Sequence, residues 1–159
     1  MTTNKEDTKL GYDFEKELKE IFKELIATYP FFWHQFLDSK SAGRLVTAQP
    51  SDFLISSKLS GVCLLEAKAS TIKKSLSNCA KTHIRPSQVG MHKKWHRAGN
   101  KSLFIFYSMN ENNVELWDGE YITSCISNNK KPLKSEGLKT ECDYFQLLNM
   151  LTNYFCKGY

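Results

Sequence analysis

The chain has 159 residues, 41% hydrophobic and 25% charged, which is the size and composition of one globular domain able to bury its own core. No apolar run is long enough to span a bilayer, and the polar start Met1-Thr2-Thr3-Asn4-Lys5-Glu6-Asp7 lacks the apolar segment of a signal peptide, so a cytoplasmic protein without a membrane partner is expected. The net charge of +5 is modest and excludes little by itself; its distribution says more.

The first element is a helix over Lys9–Thr28. Leu10, Phe14, Leu18, Ile21, Phe22, Leu25, Ile26 and Tyr29 recur at the three- and four-residue spacing of an amphipathic helix, and Pro30 stops it. The aromatic stretch Phe31-Phe32-Trp33 then packs on the core. Arg44–Ala48 reads as a first strand. Asp52–Ser56 and Gly61–Lys68 read as the arms of a hairpin around Lys58-Leu59-Ser60-Gly61. A loop rich in Ser, Thr and Lys runs from Ser70 to Thr82.

A second helix starts at Pro86, which suits the first helical position, passes Trp95 to Arg97, and stops at Gly99. Trp95 is expected in the core. Ser102–Ser108 holds the apolar run Leu103-Phe104-Ile105-Phe106-Tyr107 and reads as a buried central strand. Val114–Trp117 and Tyr121–Ile126 are weaker strand candidates. Asn128–Glu141 reads as a lysine-containing loop, and Cys142–Phe155 as a closing helix. No internal repeat divides the chain, so residues 1–159 form one domain of α/β class, a mixed sheet between helices.

Charge is concentrated in the middle of this layout. From Ala67 to Asn110 there is no Asp or Glu, against nine basic residues: Lys68, Lys73, Lys74, Lys81, Arg85, Lys93, Lys94, Arg97 and Lys101. The rest of the chain has 13 basic against 17 acidic residues, a net of −4. Such a segment suits a polyanionic partner; a solvated basic face is the plain alternative. The five cysteines are scattered and form no CxxC pair, which argues against a disulfide framework or a zinc ribbon. Cys79 and His83 are four residues apart but lack two further zinc ligands.

The chemistry gathers on the hairpin. Strand alternation puts Glu66 and Lys68 on one face, and the hairpin partner brings Asp52 beside them. Two neighbouring carboxylates repel unless a cation lies between them, and a partial set of hard oxygen ligands suits Mg²⁺. Such a metal lowers the pKa of a bound water, while Lys68 is placed to orient that water or to stabilise charge on a phosphate. A plain surface ion pair between Glu66 and Lys68 is the alternative. Glu15 counts against it. On a wheel of about 100° per residue, this carboxylate alone lies within the apolar arc of the first helix, between Phe22 and Ile26, where it needs a partner. Gln88, near the start of the second helix, offers an amide for a water or a phosphate oxygen. His92 lies one turn further along, and a lone helix histidine is more often structural; His96, stacked below it, is equally ambiguous. Lys93, Lys94 and Arg97 on that helix, and Lys73, Lys74 and Lys81 in the loop before it, are candidates for contact with a DNA backbone. Arg85 and His92 join them.

In this order the residues resemble the PD-(D/E)XK nuclease superfamily, and within it the RecU-like Holliday junction resolvases. The matching pieces are Gly11-Tyr12-Asp13-Phe14-Glu15, Ser51-Asp52-Phe53, Glu66-Ala67-Lys68, Gln88 with His92, Gly99 before Leu103-Phe104-Ile105-Phe106, and Asp143-Tyr144-Phe145. The resemblance implies a restriction-endonuclease-like core and a homodimer in a bacterial or phage-infected cell. It also implies Mg²⁺ or Mn²⁺ as cofactor, and paired nicks across a four-way DNA junction in recombination or repair. Carried over by position, Glu15, Asp52 and Glu66 are the acidic active-site residues, Lys68 the catalytic lysine and Gln88 the auxiliary polar group. Asp52, Glu66 and the backbone carbonyl of Ala67 would hold the metal. One feature departs from the family. Its stalk, which enters the junction, precedes the catalytic Asp, and here only Pro30–Ser51 separates the first helix from Asp52. Two alternatives therefore stand beside junction resolution: another nuclease of the superfamily (restriction, flap or repair type), and a non-catalytic DNA-binding protein on the same scaffold.

Overall fold

The structure, a computed structural model, describes residues 5–37 and 49–158; the strand expected over Arg44–Ala48 lies outside the described residues. The first helix, α1 (Lys5–Thr28), starts ahead of the Lys9 expected, with Glu6 and Asp7 in its first turn, where carboxylates favour the helix dipole. Phe14, Leu18, Ile21, Phe22 and Leu25 are its buried positions, as the apolar spacing predicts.

Among the described residues, six strands form one sheet, side by side in chain order: β1 (Phe31–Gln35), β2 (Phe53–Ser57), β3 (Gly61–Ser70), β4 (Lys101–Ser108), β5 (Asn113–Asp118) and β6 (Leu138–Glu141). Strands β3 and β4, at the centre, run parallel, while the other neighbouring pairs are antiparallel. A parallel pair needs a crossover, and α2 (Leu76–His83) with α3 (Pro86–Arg97) supplies it. Helix α4 (Gly119–Ser127) follows β5. Helix α5 (Tyr144–Thr152), continued by a wide π-type turn over Asn153–Lys157, ends the described chain. The mixed sheet flanked by helices that the sequence predicts is therefore observed.

Both faces of the sheet are covered, which is why β3 and β4 carry runs of consecutive buried residues rather than simple alternation. On one face α1 and α5 pack against Phe53, Ile55, Cys63, Leu65, Leu103 and Ile105. On the other, Leu76, Cys79 and Ala80 of α2 and Ile122 of α4 pack against Phe104, Phe106 and Trp117. The β2–β3 hairpin turns through Lys58-Leu59-Ser60. Gly61 closes it at φ +63°, a left-handed conformation that a side chain disfavours.

Four segments differ from the sequence reading. The aromatic stretch after Pro30 is the edge strand β1, alternating buried Phe31 with exposed Phe32. The Ser70–Thr82 loop contains α2, whose first turn is capped by Ser75 Oγ accepting from Ser77 N. Tyr121–Ile126, expected as a strand for its β-branched residues, belongs to α4. Asp118 caps that helix through Tyr121 N, and the Thr123 and Ser127 hydroxyls donate back to carbonyls within it. Its first residue must be small, because a Cβ on Gly119 would lie 2.1 Å from Ser102 Oγ. The Asn128–Glu141 loop includes a short 3-10 turn and β6.

Two backbone details open the sheet beside Asp52. Strand β3 outruns β2: their pairing ends at Phe53–Leu65, while β3 continues beside β4 as far as Ser70. The connection from β1 to β2 is clasped at its base, where Phe36 N donates to the Asp52 carbonyl at 2.9 Å.

Candidate active site

The site lies where β2 and β3 part. Continuing their register by one step sets Asp52 opposite Glu66, and Asp52 Oδ2 accepts a 2.7 Å hydrogen bond from Ala67 N. Glu66 is buried, 2% exposed, and both of its carboxylate oxygens are engaged. Lys68 Nζ lies 2.8 Å from Oε1, which also accepts from Gln88 Nε2, while Ser51 Oγ donates to Oε2 at 3.1 Å. The amide of Gln88 is fixed from its other end, since Gln88 Oε1 accepts from Arg85 N at 3.0 Å. The Glu66–Lys68 pair is thus largely buried, in contrast to an exposed surface ion pair.

Glu15 reaches the cluster from α1. It is half-buried and accepts from Gln35 Nε2 of β1 at 3.2 Å. Burial raises its pKa first, and the neighbouring Glu66 raises it further. Asp52 is pushed well above the usual carboxylate range by burial and by the charges of Glu66 and Glu15, against the opposing pull of Lys68 and the Ala67 N–H. Three acidic groups therefore crowd one lysine, leaving excess negative charge in a partly desolvated place. On the lysine side, Lys68 pairs in register with Phe106, and the half-buried His83 ring stands edge-on to Phe106 at 6.3 Å.

The structure brings Glu15, Asp52, Glu66, Ala67, Lys68 and Gln88 together. Ser51 and Gln35 belong to the same network, and the sequence does not single them out. Ser51 carries no pattern of its own, and Gln35 needs β1 to be recognised. The candidates for DNA contact are spread more widely. Lys74 lies 3.4 Å from Glu111, Lys81 donates to Asn129 Oδ1 at 2.7 Å, and Arg85 is exposed at the start of α3. Lys73, Lys94 and Arg97 are exposed and Lys93 is half-buried. Trp95 is half-buried and donates to the Lys101 carbonyl. The Cys79 thiol sits in the core and contacts the Ser75 carbonyl, and burial pushes its pKa up to about 12.

His92 is corrected. The sequence makes it a candidate for DNA contact, but its ring is fully buried, stacked on Phe104 at 4.5 Å, with Nδ1 2.8 Å from Ser102 Oγ. Ser102 Oγ also lies 2.8 Å from His96 Nε2, so one hydroxyl serves two imidazoles. Burial lowers the His92 pKa to about 4. Above pH 6.5 the ring is neutral both folded and unfolded. As the pH falls toward 4 the unfolded chain takes the proton first, so stability declines in that window, by about 3 kcal/mol at most. Urea melts at pH 7.5 and 4.5 should show this loss, and His92→Gln should remove most of it. An unchanged acid loss in the variant would assign it to other groups.

The arrangement defines an α/β protein with a carboxylate–lysine cluster at a parting of strands. No protein-family model matches the sequence, and no curated protein matches it. Among solved structures, the fold is similar to that of Hjc, a Holliday junction resolvase from the archaeal hyperthermophile Archaeoglobus fulgidus. The two share 9% sequence identity and a TM-score of 0.47, over 86% of this chain and 98% of that one. Among the described residues, no helix is long and apolar enough to cross a membrane.

Proposed function

We propose that this protein is a metal-dependent DNA endonuclease that hydrolyses phosphodiester bonds, with four-way junctions as its substrate and a homodimer as its working form. One observation carries the chemistry: Asp52, Glu66 and Lys68 converge with Glu15 and Gln88 at one point beside an acid-free, lysine-rich segment. The order of these residues along the chain, which resembles the PD-(D/E)XK nucleases, supports the same reading.

The donor set fits Mg²⁺ or Mn²⁺. Asp52 and Glu66 offer hard oxygens, and the crowding that raises the Asp52 pKa is relieved by a cation. Among the described residues no group of three or more His, Cys, Asp or Glu side chains is arranged to hold a metal ion by itself. The protein's share would therefore be Asp52, Glu66 and the Ala67 carbonyl, with water and phosphate completing the shell, the usual condition of Mg²⁺. When bound, the metal supplies an activated water and charge neutralisation at the phosphate. Lys68 adds a fixed positive charge facing the scissile phosphate. Gln88, held at both ends of its amide, orients Glu66. Glu15, held by Gln35, adds a third carboxylate beside the pair.

A labelled four-way junction and a linear duplex of matching sequence, each incubated with Mg²⁺ and with EDTA, test this reading. Paired nicks confined to the junction and lost in EDTA are expected, from a protein that elutes as a dimer. Equal cutting of plain duplex would favour a second reading, the same chemistry on another DNA substrate (a restriction, flap or repair type nuclease), for which there is a specific reason. With β1 in place, only residues 36–52 remain between the first two strands, too few for a long stalk.

A further inference from the structure

The helical layers on the two faces of the sheet carry opposite charge. Helix α1 holds seven acidic residues against five basic ones. On the other face, α2 and α3 lie within the acid-free segment, and α4 carries Glu120 as its acidic residue. A second acid-free stretch, residues 121–135, leads out of α4 and contains Lys130, Lys131 and Lys134. The fold lays it directly against α2. Ser77 Oγ donates to the Pro132 carbonyl at 2.6 Å, and Lys81 Nζ to Asn129 Oδ1 at 2.7 Å.

This connection is firmly held. Lys130 N donates to the Cys125 carbonyl, Leu133 N donates to Tyr121 Oη, and Asn129 takes a left-handed conformation at φ +53°. Lys130, Lys131 and Lys134 are exposed, and among the described residues none of them has an ion-pair partner. Three unneutralised lysines on a firmly held backbone thus extend the basic surface of α2 and α3, which reaches the reaction centre through Gln88. Two stretches about 50 residues apart in sequence become one cationic surface.

Resting on the reading of a DNA nuclease, we propose that residues 128–135, docked on α2, form a second grip on the DNA backbone. Lys130, Lys131 and Lys134 contact phosphates of a duplex arm lying across the α2–α3–α4 layer. The outer side of α1, which carries the excess of acidic residues, faces away from the DNA. Each phosphate contact releases counterions and adds about 0.9 to the slope of log affinity against log salt.

The test is fluorescence anisotropy of a labelled duplex in EDTA, between 50 and 200 mM salt, with wild type and Lys130→Ala/Lys131→Ala/Lys134→Ala. The variant's slope should be shallower by about 2 to 3, so wild type loses roughly 40-fold more affinity across that range. The control Lys9→Ala/Lys16→Ala/Lys23→Ala, on α1, should keep the wild-type slope, and circular dichroism confirms that all three proteins are folded. Equal slopes in wild type and the first variant, with wild type binding well, overturn the second grip and leave the nuclease reading intact. An equal fall in the α1 control also overturns it, since the effect is then one of net charge. If wild type binds no DNA in EDTA and cuts none with Mg²⁺, both readings fall together.

Discussion

Replacing Asp52 by Asn should abolish DNA cleavage and at the same time make the fold more stable. The two effects have one origin. Asp52 is half-buried beside Glu66 and Glu15, and its charge is opposed by both. The folded-state pKa is raised, so the folded protein holds the Asp52 proton to higher pH than the unfolded chain does. Stability is therefore lost as pH rises through that window, and at neutral pH the ionised group is a burden on the fold. Asn keeps an oxygen to accept from Ala67 N and removes the charge. The melting temperature should rise by about 3 °C for each kcal/mol of repulsion relieved.

Cleavage should fall on the order of 10³-fold or more, because the same charge is what would attract the metal. Lys68→Ala should lose on the order of 10²- to 10³-fold, with DNA binding retained. Added Mg²⁺ should raise the melting temperature of wild type and leave that of Asp52→Asn nearly unmoved. Wild-type cleavage by either variant would remove that residue from the reaction. A melting temperature lowered by Asp52→Asn would mean that the hydrogen bond to Ala67 outweighs the repulsion.

The second large effect concerns Glu115, a carboxylate 5% exposed in the middle of β5. Its Oε2 accepts from Ser75 Oγ at 3.1 Å, Leu76 N at 3.0 Å and Trp117 Nε1 at 2.9 Å. It therefore ties the start of α2 to the core on that face. Glu115→Ala strands three buried donors, a loss on the order of 4 kcal/mol. The melting temperature should fall by roughly 10 °C. Glu115→Gln, which keeps an acceptor oxygen, should lose about half as much. Chemical denaturation of the three proteins measures this directly, and a loss below about 1 kcal/mol for Ala would show that water replaces the carboxylate.

Glu115 also shows where sequence reading stops. The hairpin, α3 and the apolar β4 are local patterns, and each is legible from spacing alone. Asp52, Glu66 and Lys68 can be grouped because a hairpin brings close neighbours together. Glu15 betrays itself by sitting on the wrong side of a helical wheel. Helix α2 gives no such signal: Leu76, Cys79 and Ala80 are a sparse apolar face, and the helix depends on a carboxylate some 40 residues downstream. Helix α4 misleads through Tyr121, Ile122, Thr123 and Ile126, whose strand preference yields to the Asp118 cap and to packing on Phe104 and Trp117. The role of His92 stays open in the sequence because its partners, Ser102 and Phe104, lie on a different element.

The clasp between Phe36 N and the Asp52 carbonyl has a consequence for how this protein can change. Residues 37–51 leave and rejoin the sheet at adjacent points, so their number is not dictated by the distance they must cover. Doubling the length of such a closed span adds only about 0.6 kcal/mol of closure entropy. Insertions or deletions there are thermodynamically mild and leave the register of Asp52 against Glu66 untouched. The length of this connection can therefore vary within a lineage while the carboxylates are inherited unchanged.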